Sequence, residues 1–586
     1  MDDRTRWWAA YSSALGAVLF ALLLSLAPQV AALAASYPIP TLLNRIRADT
    51  APGGALGGVW LRRWASFPTI FWLRPSLAPA HVARFGAACA ALFALGIGGK
   101  PLLLLALLAL LSLATALGEY ICFPWDCLVL EACWLSVVFA PARGAAPSAA
   151  CVAAHRLLLF RLMFGMGKKK FGFKGKWREA GNVDFLKHFV LWQPLPTPLA
   201  WAAYNALPDA AWRIALHGMF VAECIVPFAF VLPLPHGVVR GAAAVTIVFQ
   251  IGIAALGNYG VFQAATIALA LSACSELRWG ALLSAAGVDQ AASALRLSAL
   301  LASALLGAAH LPFDSYTTNY WLFGKLTIPG ATRAPARALI ALCRALAPWH
   351  VVHAYGVFGV AAPVESERGW RWLLRFEVRS DVGGGAGGDV AGAASPPGRR
   401  ARFRSGVLRF KHYADGDDAS LSWFAPHHPR IDHQIFYEAI GQRAGAFNLL
   451  NPYYWSTPGS DRSSTAVASA WIVRLARLVV DGDADARALF QPLPAATNVQ
   501  RIDAIRVLRI RMRFSTAAER ARSGKWFVEE TRFAPHVLHV VTRASPAAPF
   551  ALPQPKEWAS ANDQWRRRIV VGSSEKDALA QQCHQS

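Results

Sequence analysis

The chain is 586 residues long and poor in charge: 55% of its residues are hydrophobic and only 16% are charged. Soluble proteins carry about 25% charged residues, so this composition excludes a purely soluble protein, and much of the apolar excess must face lipid. The formal net charge of +23 would also fit a nucleic-acid-binding protein, but that class needs a basic face on a soluble domain. We therefore expect a membrane protein whose positive residues contact anionic headgroups, with membrane lipids and no nucleic acid among its partners.

The first apolar run covers residues 7–35 and follows the sequence MDDRTR. Its short basic flank and the small residues at its end are typical of a signal peptide. The run is longer than the apolar part of a signal peptide, which favours a first span that is retained. Both interpretations stay open.

Further apolar runs predict a multipass bundle of membrane helices. Because about 20 apolar residues are needed to cross a bilayer, some runs are short or would merge, and we expect roughly seven to nine spans. The runs are 85–98, 101–118, 127–140, 153–167, 211–234, 241–257, 261–274 and 294–310.

Two connections, 36–82 and 168–200, are expected to lie at the membrane surface. The first ends in the aromatic segment FPTIFWLRPS, which suits the interface. The second opens with six Lys and Arg residues from Lys168 to Arg178 and no acid among them. It lacks the residue spacing of a phosphate-binding loop, so we interpret it as a positive collar against lipid headgroups, on a side of the membrane that stays open. Three prolines within 193–198 exclude a continuous helix there.

From about Trp349 onward, the apolar residues recur with a period of two. In RVLRIRMRF, apolar residues from Leu508 to Phe514 alternate with three arginines, which is typical of a half-buried antiparallel strand. The segments WRWLLRFEV, VLRFKHY, WFVEETR and HVLHVVTR predict further short strands. The predicted fold is thus a multipass membrane α-helical bundle followed by a soluble, mostly antiparallel β domain that is sandwich-like. The predicted limits are 1–348 for the membrane domain, 349–560 for the β domain with a mobile Gly-rich insert at 382–400, and 561–586 for a polar tail.

Histidines form three groups that offer possible metal ligands, in WHVVHAY, APHHPRIDH and HVLH. Zinc requires three or four convergent ligands, and His536 and His539 would point to opposite faces of a strand. His427, His428 and His433 are the better group by spacing. Solvent-facing or hydrogen-bonded histidines are the simpler interpretation, so we expect no metal and no other cofactor.

Two carboxylates, Asp126 and Glu131, lie at the head of the apolar segment FPWDCLVLEACWL. Carboxylates inside a membrane are costly and are therefore functional by default. The structural alternative is that Asp126 caps a helix and Glu131 pairs with an Arg of another span, for which Arg161 is available. The sequence leaves these two readings open. It contains no Gly-x-Ser-x-Gly motif and no evident Ser/His/Asp set, so we do not expect an enzyme.

Several blocks of the chain closely resemble the lipase maturation factor family. In the N-terminal half they are FPWDCLVLEACWLSVVFAP, RLLLFRLMFGMG with WREAGNVDF and WQPLPTPLAW, and GNYGVFQAATIAL; in the C-terminal half they are VVHAYGVFGV, WFAPHHPRIDHQIFYEAIG, LRIRMRFS and GKWFVEE. They run in family order from about Phe67 to Glu530. The chain departs from the family pattern at His188, which is off register, and at His433, where the family usually has Trp.

The resemblance implies a multipass protein of the endoplasmic reticulum membrane that assists the folding, assembly or export of secreted lipases. Its soluble domain would bind the lipase clients, while the oligomeric state stays undefined. The residues that the resemblance implies in the family motif or in client binding are Trp125, Asp126, Glu131, Arg161, Trp177, Gln193, Pro194, Pro196, Asn258, Tyr259, Pro426, Arg430, Asp432 and Gln434.

A more distant likeness, to the vitamin K-dependent carboxylases and related multipass proteins, keeps an enzymatic alternative open. Such an enzyme would act on a lipid-soluble or peptide substrate between the spans, using Asp126, Glu131 or Lys168–Lys170. A structure in which Asp126 and Glu131 are each paired and sealed from water would contradict it.

Overall fold

A computed structural model describes most of the chain in separate stretches. They are residues 2–31, 68–117, 123–139, 145–172, 183–278, 346–353, 369–381, 403–411, 421–439, 470–493, 502–529 and 536–542, together with positions 33, 64, 141 and 355. The predicted span 294–310, the Gly-rich insert 382–400 and the tail 561–586 lie outside the described residues.

The described N-terminal part consists mainly of helices. Helix α8 continues through a π-helical turn, Val221–Ile225, and a 3₁₀ turn, Val226–Phe230. The helices are α1 Asp3–Leu26, α2 Pro79–Ala94, α3 Gly99–Leu117, α4 Pro124–Phe139, α5 Ala149–Gly172, α6 Val183–Trp192, α7 Pro198–Ala206, α8 Asp209–Phe220, α9 His236–Leu256 and α10 Phe262–Ala273.

Among the described residues, five helical segments are long and apolar enough to cross a membrane. Three apolar runs predicted as spans, 85–98, 127–140 and 261–274, instead fall in the shorter helices α2, α4 and α10. Helices of 16, 16 and 12 residues are too short to cross a bilayer about 30 Å thick without distortion. The long segments are Asp3–Leu26, Gly99–Leu117, Ala149–Lys168, Asp209–Phe230 and His236–Leu256.

Helices α4 and α10 form the centre of the bundle, and α8 and α9 lie at its edge. Most positions of α4 and α10 are buried on every side, as expected for helices that are apolar all round. By contrast, Ile214 of α8 is 74% exposed and Val248 of α9 is 69% exposed. These outward apolar side chains fit a surface that faces lipid.

The described C-terminal strands form one antiparallel sheet. Its central strand β3 pairs along one edge with β1, which pairs in turn with β2, while β4 and β5 share the other edge of β3. The strands are β1 Arg371–Asp381, β2 Phe403–Leu408, β3 Ala504–Phe514, β4 Phe527–Glu529 and β5 His536–Thr542.

The alternation predicted for RVLRIRMRF is confirmed, with one irregularity. Leu508, Ile510, Met512 and Phe514 are buried, but Val507 next to Leu508 is buried as well. A register shift against β5 lies between these two residues. The residue that this shift leaves unpaired is Leu538 of β5, whereas the pairing of β3 with β1 is continuous. Val507 and Leu508 therefore point to opposite faces of the sheet, and both faces are covered at this point.

The sandwich is not confirmed, since the described strands build a single sheet. Helices pack against it instead: α11 contacts β1, and α12 contacts β3 and β5. These C-terminal helices are α11 Arg430–Ala439, α12 Ala470–Asp481, α13 Ala484–Arg487 and α14 Ala517–Ser523.

Candidate functional site at the junction of the two regions

The helical and sheet regions are joined by a buried ion pair between Asp126 and Arg430. Both guanidinium NH2 groups of Arg430 donate to the carboxylate, at 2.8 and 2.6 Å, and the two side chains are 0% and 1% exposed. Asp126 is in the first turn of α4 and also accepts from the backbone N–H of Phe123, at 2.7 Å. A carboxylate there satisfies a free N–H of the helix end and interacts favourably with the helix dipole. Asp126 therefore caps α4 and at the same time holds Arg430, the first residue of α11.

Helix α1 and the turn that follows it hold the segment that leads into α11. The Ser25 hydroxyl accepts from the backbone N–H of His428 at 2.9 Å, and the Gln29 amide donates to the His428 carbonyl at 2.9 Å. The Gln29 side-chain oxygen accepts from the backbone N–H of Arg430, at 2.8 Å. These backbone polar groups of the buried segment are thus satisfied by Ser25 of α1 and by Gln29 of the turn after it, some 400 positions earlier.

Two histidines and two aromatic rings pack beside the ion pair. Phe123 and Trp125 stack with centroids 4.8 Å apart, and His428 stands edge-on to both. The His428 Nε2 and His433 Nδ1 atoms are 3.2 Å apart, so one of them donates to the other. Burial, with a smaller contribution from Arg430, lowers the pKa of His433 to about 3 and that of His428 well below its ordinary value. Both rings are therefore neutral at physiological pH.

The segment 193–198, which contains three prolines, meets the loop around Asn258 and Tyr259 at the same junction. We call this contact the corner. Gln193 accepts from the Tyr259 hydroxyl at 2.9 Å and donates to the Val190 carbonyl at 2.9 Å. Pro196 bridges to Gly257, where an added Cβ would lie 2.0 Å from the Gln193 side-chain oxygen. Glycine at 257 is thus required for this close approach.

Asn258 connects this corner to the C-terminal region. Its side-chain amide donates to the Ser422 carbonyl at 2.9 Å, and its side-chain oxygen accepts from the backbone N–H of Phe424 at 3.0 Å. Its own backbone N–H donates to the Leu195 carbonyl at 3.0 Å. One side chain therefore ties together the segments around 195, 258 and 423.

Arg371, which the sequence did not indicate, anchors strand β1 to the end of α6. Its guanidinium donates to the carbonyls of Leu191, Gln193 and Pro194, at 3.0, 3.0 and 3.2 Å. A cation placed there satisfies carbonyls that a helix end leaves free. The local signal is only that the residues directly beside it, Trp370 and Trp372–Leu374, are apolar, which does not indicate its partners.

A second buried ion pair joins Glu131 of α4 to Arg161 of α5 at 2.6 Å. The other Glu131 oxygen accepts from the Tyr355 hydroxyl at 2.7 Å and from the backbone N–H of His353 at 3.1 Å. Arg161 donates to the His353 carbonyl at 2.6 Å. Of the two readings that the sequence left open for Glu131, the structure shows the pairing with Arg161, which also holds the segment around residue 353 against the bundle.

Lys170 corrects the prediction of a positive collar. Helix α5 continues to Gly172, so Lys170 lies within the helix, where it is buried and forms an ion pair with Glu223 of the π-helical turn. A lysine in contact with headgroups would be exposed. Most of the other predicted collar residues lie outside the described side chains.

The remaining predicted residues lie in different environments. Asp432 is buried in the first turn of α11, and Pro426 is exposed after a cis peptide bond. Gln434 lies on α11, and Trp177 is outside the described residues. His427 contacts the Ser25 hydroxyl through Nδ1 at 2.9 Å, so in the described structure it does not share a ligand site with the other two histidines of its group.

The helical region is similar to a domain found in known proteins. Residues 5–280 match the family model of the lipase maturation factor transmembrane domain. Lipase maturation factor 2 of Gallus gallus is 31% identical over 246 residues, which are 38% of this chain and 33% of the relative. The Homo sapiens protein of the same name is 31% identical over 236 residues, covering 36% and 32% of the two chains. Lipase maturation factor 1 of Bos taurus is 28% identical over 167 residues, covering 27% and 29%.

The matched part spans about a third of the length of these relatives. No solved structure matches the chain. The match of residues 5–280 contains Trp125, Asp126, Glu131 and Arg161, together with the corner formed by Gln193 and Tyr259. The helical region of this chain is thus similar to the transmembrane domain of the lipase maturation factor family.

Proposed function

We propose that this chain is a membrane-bound maturation factor of the endoplasmic reticulum that assists the folding, assembly and export of secreted lipases. The observation that carries the proposal is the junction itself. In a chain whose relatives are named lipase maturation factors, the motif residues form a fixed support for the C-terminal region. A support of this kind suits a protein that presents a binding surface to a client.

The motif residues act in this proposal as positioning residues. Asp126, Glu131, Arg161 and Arg430 are each 3% exposed or less, so a folded client cannot contact them. They would set the orientation of the sheet relative to the membrane, and the client would bind the exposed surface that the sheet region presents.

The geometry favours a non-catalytic role over the membrane-enzyme alternative. A general acid or base must reach its substrate within hydrogen-bond distance. Asp126, Glu131 and Lys170 are instead buried, and each has an oppositely charged partner. The burial and pairing of these three groups support a non-catalytic role.

A lipase secretion assay tests the proposed function. In cells that lack the chain, a client lipase should be synthesised at normal levels but remain inactive and intracellular, and expression of the chain should restore secretion and activity. The amount of lipase protein and its activity are measured separately, so that specific activity is obtained. Full specific activity of the secreted lipase without the chain would contradict the role for that client.

A glycosylation assay tests whether the sheet region faces the lumen, as the proposal requires. The chain has no Asn-x-Ser/Thr sequon of its own, and Ala521→Asn creates one with Ser523 on the exposed helix α14. The variant should gain a glycan that an endoglycosidase removes, whereas the control Ala521→Gln should not. An unmodified Ala521→Asn variant would place this surface away from the lumenal client.

A further inference from the structure

Three ligand-type side chains converge at a place that the proposed function does not use. Cys127 of α4 lies beside His350 and His353, and their ligand atoms all lie within 4.8 Å of one another. The Cys127 Sγ and His350 Nδ1 atoms are 4.0 Å apart. All three side chains are buried, at 5%, 9% and 2% exposed. Residues separated by more than 220 positions have thus been brought together away from bulk water.

The backbone that carries the two histidines is held by the same face of α4 that carries Cys127. Trp134 donates from Nε1 to the Trp349 carbonyl at 2.8 Å, and Glu131 accepts from the backbone N–H of His353 at 3.1 Å. Cys127, Glu131 and Trp134 follow one another at spacings of four and three residues, so they share one helix face. These hydrogen bonds to the backbone on either side of His350 therefore fix the positions of the two histidines, and they do not involve the imidazole rings. Metal sites are commonly pre-organised by such supporting contacts.

His350 itself adopts a backbone conformation that is rare for its residue type. Its φ of 53° lies in the left-handed region, which residues other than glycine seldom occupy. This conformation costs free energy and persists only where surrounding contacts enforce it. Here it turns the imidazole of His350 toward the sulfur of Cys127.

We propose that Cys127, His350 and His353 bind a zinc ion. One thiolate and two imidazoles form a donor set that zinc prefers. In a tetrahedral site with Zn–S of about 2.3 Å and Zn–N of about 2.0–2.1 Å, neighbouring ligand atoms lie about 3.5 Å apart. The 4.0 Å between Cys127 Sγ and His350 Nδ1 requires a contraction of about 0.5 Å, and ligand atoms as far as 4.8 Å apart would have to move closer by about 1.3 Å on binding. Binding displaces the thiol proton of Cys127 to solvent, and the fourth position is open to water or another ligand.

The zinc ion would join α4 to the chain just before the sheet region. The residues from 349 to 355 precede β1, so a metal at Cys127 would reinforce the attachment that Glu131 and Arg161 already make. This attachment is independent of whether the client is a lipase.

Metal analysis of the purified full-length chain tests the proposal. After exhaustive dialysis in detergent against metal-free buffer, the wild type should retain one zinc ion per chain, and Cys127→Ala and His353→Ala should lose it. The matched control is Cys133→Ala, which removes another buried cysteine of the same helix and should retain the metal. His350→Asn is a gentler variant, because Asn tolerates the left-handed conformation but is a poor zinc ligand; it should also lose the metal.

Cobalt substitution gives a readout that does not depend on the stability of any variant. Wild-type protein reloaded with Co²⁺ should show a thiolate-to-cobalt charge-transfer band in the near ultraviolet, and Cys133→Ala should show the same band. Folded wild-type protein without stoichiometric zinc and without this band would overturn the proposal and leave a hydrogen-bonded polar cluster. Undiminished zinc in Cys127→Ala would overturn it as well.

Discussion

Asp126 and Arg430 are 304 positions apart in the chain and form a doubly hydrogen-bonded ion pair from which water is excluded. The first belongs to the transmembrane domain and the second begins the helix α11 that packs on β1. Neither charge has bulk water as an alternative partner. The position of the C-terminal region on the bundle therefore depends on both residues at once.

Removing one partner of this pair should be strongly destabilising. Arg430→Gln leaves the Asp126 carboxylate buried without its cation, which typically costs about 3–5 kcal/mol. The control is Arg506→Gln, which breaks the exposed pair with Glu377 on the sheet surface and should cost at most about 1 kcal/mol. The free energy of unfolding in detergent micelles, measured by denaturant titration, distinguishes them. Equal losses for the two variants would mean that the buried pair does not hold the junction.

Adding one methyl group at Gly165 of α5, which lies against residue 355, should also weaken the junction. A Cβ at Gly165 would lie 2.4 Å from the Tyr355 carbonyl oxygen, whereas a Cβ at Gly252 of α9 meets nothing within 4 Å. We expect Gly165→Ala to cost about 1–3 kcal/mol through overpacking. Gly252→Ala should be neutral or stabilising by up to about 1 kcal/mol, because alanine favours the helix. Thermal unfolding of both variants in the same detergent provides the measurement, and a stable Gly165→Ala protein would argue against this packing.

The ion pair of Lys170 and Glu223 allows a direct test of whether Lys170 is buried in the bundle or contacts lipid headgroups. Lys170→Met leaves Glu223 buried and unpaired, so it should destabilise the bundle by about 3–5 kcal/mol. The double variant Lys170→Met with Glu223→Gln should recover a large part of that loss, since no lone charge remains. If Lys170 only contacted headgroups, Lys170→Met would be close to neutral and the second change would rescue nothing. A double-mutant cycle of unfolding free energies separates these outcomes.

The buried histidines should make the junction sensitive to acid. The pKa of His433 is about 3 in the folded chain and about 6.5 when unfolded, so between these values only the unfolded chain takes up the proton. The stability that this ring contributes is complete above about pH 6.5 and falls as the pH is lowered toward 3, by at most about 1.4 kcal/mol per pH unit. His433→Gln, beside Arg430 and His428, should therefore flatten the dependence of the unfolding temperature on pH between 7 and 5. An unchanged slope would show that His433 titrates normally.

Local patterns in the sequence predicted much of the fold. The alternation in RVLRIRMRF identified β3, and the few charges inside apolar segments limited the partners of Glu131 to residues such as Arg161. Helix α12 was missed although its signal was present: Ile472, Leu475, Ala476 and Val479 recur at helical spacing and are all buried.

Contacts between distant segments could not be predicted in the same way. No periodicity relates Asp126 to Arg430 or Gln29 to His428, because a pairing across 300 or 400 positions depends on how whole helices pack. The family resemblance singled out Asp126 and Arg430 as separate motif residues and did not indicate that they touch. The role of Arg371 was equally hidden, since its partners are backbone carbonyls that any sequence possesses.

The most direct test of the account is the specific activity of a secreted lipase in cells that lack the chain and receive one of three versions of it. Wild type and Arg506→Gln should restore secretion of active lipase. Arg430→Gln, expressed to the same level in the membrane, should leave the lipase inactive and retained, because the C-terminal region loses its attachment to the bundle. Full rescue by Arg430→Gln would contradict the claim that maturation depends on this junction.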